Sequence, residues 1–186
     1  MRANTVWLNE LPTLTGKAVV LRELTVEDSR GDYCDWLNDP AGNQYLETRF
    51  EQNTRAALEI YVRETREDPN LFFFAMVDPE TGEHVGNIKL GPVNWDHRFG
   101  DIGLLIGSRI HWGKGIAIES ISLLCDFAFN SLGLNKVTAS CYSNNIGSAK
   151  AFLKVGFEVE GMRKGQYSFE GGYTDLQLFG RVNPKR

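Results

Sequence analysis

Residues 112–117 read Trp-Gly-Lys-Gly-Ile-Ala, with glycines at alternate positions ahead of a helical pattern, an arrangement suited to holding phosphate. Such glycines let the backbone turn tightly and present successive N–H groups, and a helix beyond them adds unpaired N–H groups and the positive end of its dipole. Lys114 is either a mobile cation for the same anion or a solvated lysine beside two glycines. Alone, the pattern fits a plain turn as well as a phosphate cradle. Two nucleotide motifs are excluded. A Walker A loop needs Ser or Thr after its lysine, where this chain has Gly115, and a dinucleotide fingerprint needs a third glycine where it has Ile118. A second chemical feature is Glu47, in a polar stretch (42–53) with Tyr45, Leu46 and Arg49. Its carboxylate could face an amine, or it is a solvated loop charge. His84, His97 and His111 lack the i, i+4 spacing of metal ligands; they read as turn or surface histidines, and no metal is predicted.

The elements that must position these residues follow from periodicity. Residues 17–24 read as a first strand, then Thr25-Val26-Glu27-Asp28 opens a helical stretch carrying Tyr33, Trp36 and Leu37, which Asn38-Asp39-Pro40 stops. Residues 54–66 place Ala57, Leu58, Tyr61 and Val62 on one helical face, so that 42–53 reads as a lid or pocket wall. Strands at 71–77, 84–90 and 101–106 are joined by polar turns, giving four antiparallel strands in succession. A helix from about Ile118 ends at Gly133, and a fifth strand covers 136–142. Strand, helix, strand implies a parallel pair with a right-handed crossover beside the glycine loop. Asn144-Asn145 caps a short helix (148–155), and 161–169 with 173–182 form a hairpin.

A chain of 186 residues with 42% hydrophobic content is read as a single domain (1–186) with a real core and a loose N-terminal segment (1–16). Cys34, Cys125 and Cys141 are odd in number and widely spaced, which argues against disulfides and for a reducing compartment, the cytoplasm by default. No segment reads as a signal peptide or a membrane span. A net charge of −4 argues against nucleic acid as a partner and permits a cationic or amine-bearing one.

Three separated segments together resemble the GNAT superfamily of acyl-CoA-dependent N-acetyltransferases. The family loop is Gln/Arg-x-x-Gly-x-Gly/Ala, and Gly115-Ile116-Ala117 matches its last part, between the fourth strand and the following helix. Trp112 stands where Gln or Arg is usual. A Trp-Gly-Lys-Gly loop is similar to the branch holding ribosomal-protein alanine, spermidine and nucleotide-amino-sugar acetyltransferases. His97-Arg98, Asp101-Ile102-Gly103, Glu119 and Asp126-Phe127-Ala128-Phe129 resemble that branch too. So do Asn145-x-x-Ser148, Lys154-Val155-Gly156-Phe157 and Gly172-Tyr173-x-Asp175, and the resemblance spans residues 17–182.

The resemblance implies an α/β (α+β) fold: a mixed, mostly antiparallel central sheet flanked by helices, with a local parallel pair at the fourth and fifth strands. It implies acetyl-CoA as cosubstrate, its pyrophosphate on the amides of Trp112, Gly113, Lys114, Gly115, Ile116 and Ala117. The pantetheine arm would run along Leu104, Leu105 and Ile106 and meet Asn145, which is equally placed to cap its helix. The implied reaction is direct attack of an amine on the thioester in a ternary complex. An alkylammonium, with a pKa of about 10, must lose a proton, the oxyanion needs a donor, and the leaving thiolate needs an acid. The N–H groups of Leu105 and Ile106 are the implied oxyanion donors.

Asp101 matches an acidic position at the start of the fourth strand and is the first base candidate, with a plain turn-end carboxylate as its alternative; Glu47 is the second. Many relatives place an acidic tyrosine four residues after the Ser148 position, but this chain has Phe152, which cannot donate a proton. Ser148 and Tyr142 remain as acids, Ser148 being equally a helix first-turn hydroxyl. A small-molecule amine, such as an amino sugar or polyamine, ranks above a protein N-terminus as acceptor. A catalytically silent acyl-CoA sensor is the rival suggested by Phe152. A homodimer through the last hairpin is left open.

Overall fold

The computed structural model describes residues 11–185. Of the expected loose segment, residues 1–10 lie outside the described residues, while 11–16 contain a short strand, β1 (Leu14–Thr15). The eight-stranded sheet continues with β2 (Val20–Glu23), β3 (Phe72–Val77), β4 (His84–Leu90), β5 (Phe99–Ile106), β6 (Lys136–Tyr142), β7 (Glu158–Phe169) and β8 (Gly172–Val182). Their order is β1-β2-β3-β4-β5-β6-β8-β7. Because β1 was not foreseen, the expected fourth and fifth strands are β5 and β6. The helices are α1 (Tyr33–Asn38), α2 (Pro40–Asn43), α3 (Arg55–Glu67), α4 (Ile116–Asp126) and α5 (Ile146–Lys154).

Antiparallel pairing runs from β2 through β5, as the polar turns between those strands imply. The β5–β6 pair is parallel, with α4 in the crossover, as the strand-helix-strand order requires. The Phe72–Val77 strand is apolar throughout because both its faces are covered. Phe72, Phe74 and Met76 join the core under α4 and α5, whereas Phe73 and Ala75 pack with Leu37, Leu58 and Val62 of α1 and α3.

Several boundaries differ from the sequence reading for local reasons. α4 begins at Ile116, directly on the glycine loop, and is continued by a wider π turn (Phe127–Ser131) before Gly133 takes φ 66°. α5 begins at Ile146 because the Asn145 carboxamide caps it, accepting the Ser148 N–H at 3.2 Å. The stretch 42–53 is not all loop: it holds the end of α2 and a 3-10 turn (Glu47–Phe50). Thr25 and Asp28 form a reciprocal cap on a 3-10 turn (Val26–Arg30) rather than on α1 itself.

The β1–β2 turn is fastened to α4. The Glu119 carboxylate accepts the backbone amides of Lys17, Ala18 and Val19 at 2.9, 2.5 and 3.0 Å. No helix among the described residues is long and apolar enough to cross a membrane.

Candidate active site

The site begins with a divergence of two strands. β5 and β6 pair only from Phe99↔Lys136 to Ile102↔Ala139. Beyond that, β5 stays with β4 as far as Ile106, and β6 stays with β8 as far as Tyr142. A cleft of about 810 Å³ opens between them, walled by Leu104, Leu105 and Ile106 on one side and Ser140, Cys141 and Tyr142 on the other. The glycine loop and the start of α5 close its ends.

Gly113 and Gly115 have φ of 77° and 86°, a left-handed conformation that a side chain would strain, although the space around both is open. The glycines are therefore required by the backbone path and not by crowding. α4 has no side-chain cap at Gly115, so its first N–H groups are left for a ligand. The dipole of the 11-residue helix adds positive potential at the same place. The Trp112 indole donates to the Ile106 carbonyl at 2.9 Å and pins the loop to the end of β5. These features fit a diphosphate attached to a long apolar arm, and they place Trp112, Gly113, Gly115, Ile116 and Ala117 on the cleft with Asn145 and Ser148. Lys114 is exposed and is not one of the wall residues.

A second cavity of about 430 Å³ lies beside the first and shares Leu46, Gly103, Leu104 and Leu105 with it. Its remaining wall includes Glu47 and Glu51 from the polar stretch, Tyr33 and Tyr61 from α1 and α3, and Asn87 and Lys89 from β4. The stretch 42–53 thus is a pocket wall, as its composition suggested.

One hydrogen bond crosses between the cavities. Tyr142, a wall residue of the larger, donates its phenolic proton to Glu47, a wall residue of the smaller. Arg49 donates to the same phenolic oxygen at 2.9 Å and is itself held by the Leu46 and Ser168 carbonyls at 3.0 and 2.7 Å. With its oxygen accepting from Arg49, the Tyr142 hydroxyl is left pointing at Glu47. The ring is fixed by stacking on Tyr167, 4.8 Å between centroids, and by the edges of Tyr45 and Phe169. Burial and the neighbouring carboxylate raise the Tyr142 pKa.

Asp101 lies on β5 outside the walls of both cavities and accepts from the Thr138 hydroxyl at 2.8 Å. Desolvation raises its pKa, against the Thr138 hydrogen bond and the charge of Lys89. Ser148 lines the larger cleft beside Cys141, whose thiol burial pushes up to about 11, so the sulfur is neutral. Phe152 is buried against Phe157 and Phe179 and has no proton to donate. His111 is not a surface histidine: it is buried, bonding Ser108 through Nδ1 at 2.8 Å and Asp78 through Nε2 at 3.0 Å. Trp36 and Trp95 pack structurally, on His84 and on Phe72 respectively. Among the described residues no three His, Cys, Asp or Glu side chains converge as metal ligands. Sequence reasoning missed Lys89, Asn87 and Glu51, and it gave Tyr61 only as a residue on the face of α3.

The acetyltransferase (GNAT) domain family matches residues 18–158. An uncharacterized N-acetyltransferase p20 of Bacillus licheniformis is 28% identical over 91% of this chain and 95% of its own length. The spermidine N(1)-acetyltransferase of Escherichia coli is 28% identical over 85% of this chain and 82% of its own. Among solved structures, spermidine N-acetyltransferase from Vibrio cholerae in complex with CoA and spermine superposes with a TM-score of 0.81. That match has 23% identity and covers 91% of this chain and 98% of the other. With a family match over most of its length, the chain belongs to the GNAT acetyltransferases and is an N-acetyltransferase that uses acetyl-CoA.

Proposed function

We propose that the protein acetylates the primary amine of a small molecule, with Glu47 and Tyr142 carrying the protons. The observation that carries this reading is the Tyr142–Glu47 hydrogen bond, which joins the donor cleft to the adjoining cavity. A volume of about 430 Å³ suits a small molecule, and the carboxylates of Glu47 and Glu51 suit an ammonium. The spermidine acetyltransferases among the relatives support a small amine as well.

Acetyl-CoA supplies the acyl group as a thioester. Backbone amides of the loop and of α4 hold its diphosphate, and the β5 edge that β6 abandons offers the Leu104 and Ile106 peptide groups to the thioester arm and the developing oxyanion, the Leu105 groups being turned to β4. Glu47 receives the amine proton as the C–N bond forms, because bond formation drops the nitrogen pKa far below the value of about 10 for a free alkylammonium. Tyr142 holds a proton at Oη for the departing sulfur, and Glu47 returns one to it across their hydrogen bond. The bound ammonium first loses one proton to solvent to free its lone pair; from that neutral amine one N–H and one C–S bond break, one C–N and one S–H bond form, and the enzyme ends in its starting protonation state. Asp101 and Ser148 are kept as second base and second acid, Asp101 behind Glu47 because it reaches neither cavity wall.

The test is CoA thiol release against a panel of small amines and N-terminal peptides. Turnover of a small amine, falling about 100-fold or more in Glu47→Gln and Tyr142→Phe, is the expected result. Preference for peptides would overturn the acceptor assignment. Tight acetyl-CoA binding with no release from any amine would make the protein a silent sensor.

A further inference from the structure

The smaller cavity carries charge of both signs. Glu47 and Glu51 lie in its wall, and so does Lys89, on β4. The Lys89 ammonium donates to the Tyr61 hydroxyl at 3.1 Å and sits 5.7 and 5.9 Å from the ring centres of Tyr61 and Phe73. These contacts orient it without a direct ion pair: among the described residues no carboxylate oxygen comes within 4.0 Å of Nζ, and Asp101 feels its charge only from farther off. Asn87, two residues earlier and on the same face, is a second donor. Its Oδ1 lies 2.9 Å from His84 Nε2, which also contacts the Gly86 carbonyl at 2.9 Å and must therefore carry the proton. That fixes the amide orientation, and the buried Nδ2 is left without a hydrogen-bond partner. An unpaired buried donor is costly, and an anion drawn to Lys89 would relieve that cost once a small shift of the Asn87 side chain brings Nδ2, now shielded, to the open volume. In register, Asn87 and Lys89 stand opposite Leu105 and Gly103 of β5, the stretch common to both cavities.

We propose that the acceptor is a zwitterion in the free state, an amine whose other end carries a carboxylate or phosphate that Lys89 and Asn87 receive. The proposal rests on the small-amine reading above and narrows it. The ammonium end meets Glu47 beside Tyr142, and the anionic end meets the two β4 donors. A polyamine would instead bring a second cation to Lys89, and like charges repel. The chain thus diverges in acceptor chemistry from the spermidine enzymes whose fold it shares.

The experiment compares kcat/KM, by CoA thiol release, for ω-amino carboxylates, ω-aminoalkyl phosphates, diamines of matched length and spermidine. One anionic series is expected to exceed the matched diamines by about tenfold or more, and which series does so separates carboxylate from phosphate. In Lys89→Met that ratio should collapse, mainly through KM for the anionic acceptor, and Lys89→Arg should restore much of it. Thermal shift by acetyl-CoA verifies that each variant is folded. Diamines or spermidine equalling the anionic series in the native enzyme, or a ratio unmoved by folded Lys89→Met, would overturn the proposal and leave the small-amine reading standing. Absence of turnover with every small amine would overturn both.

Discussion

Replacing Tyr142 by Phe removes one oxygen and almost nothing else, which makes it the sharpest probe of the proton route. The ring keeps its stacking on Tyr167 and its contacts with Tyr45 and Phe169. Arg49 loses one acceptor but keeps the carbonyls of Leu46 and Ser168, and Glu47, at the cavity edge, is left to solvent. The stability cost is therefore that of an ordinary hydrogen bond, about 1 kcal/mol, or a fall in Tm of about 2–4 °C for a chain of this size. The catalytic cost is much larger. If Tyr142 protonates the leaving sulfur, kcat should fall about 100-fold or more with little change in KM for acetyl-CoA, since no loop contact is touched. Burial and the Glu47 carboxylate raise the tyrosine pKa, so the acid stays protonated past the ordinary phenol range. The native kcat should thus show no alkaline fall from this group below about pH 10. The assay is CoA thiol release at saturating acetyl-CoA and amine across pH, beside a thermal melt. A Tyr142→Phe variant that keeps half of its kcat would refute the route and turn attention to Ser148.

Other perturbations read separate parts of the structure. Gly115→Ala forces a side chain into φ 86° and should raise the acetyl-CoA Kd by about tenfold, at a conformational cost of about 1–2 kcal/mol, checked by calorimetric titration. Asp101→Asn should lower kcat/KM far less than Glu47→Gln, since Asp101 lines neither cavity; an equal loss in steady-state kinetics would reverse the ranking of the two bases. Asp28 is buried, which raises its pKa, but the Arg22 hydrogen bond, the Thr25 amide and the nearby charges outweigh burial and leave it lowered. Its contribution is therefore present above the ordinary carboxylate range and lost as pH falls below it, so Asp28→Asn should destabilise the protein at pH 7 and matter least near pH 2, read by urea unfolding. Gly16→Ala places a methyl on the Glu119 carboxyl, so Gly16→Ala and Glu119→Gln should each cost about 1–3 kcal/mol and sum to less than their total in the double variant.

What was legible in the sequence was what leaves a local mark. The left-handed turns at Gly113 and Gly115 demand glycine, and the parallel pair of β5 and β6 follows from the order strand, helix, strand. Glu119, noticed only as a point of resemblance, turned out to fasten the β1–β2 turn, an interaction between residues about a hundred positions apart that no window contains. His111 was misplaced for the same reason: its partner Asp78 comes from another hairpin and makes burial affordable for a polar ring. Glu47 and Tyr142 were each named, but their pairing was not legible, because 95 residues and a strand divergence separate them.

Lys89 shows the limit most clearly. In His84–Leu90 the polar residues Asn87 and Lys89 alternate with apolar ones, and periodicity reads that face as solvated. The face does meet an open volume, but the volume is a cavity roofed by the 3-10 turn that carries Glu47. Alternation reports only that a side chain escapes the core, and whether it meets bulk water or a ligand is decided by the segments folded over it. On the acceptor proposed above, specificity depends on residues that look like ordinary surface, and the sequence feature to inspect in relatives is the residue type at the Lys89 position together with the acid at the Glu47 position, since in that reading the two charges define the acceptor only as a pair.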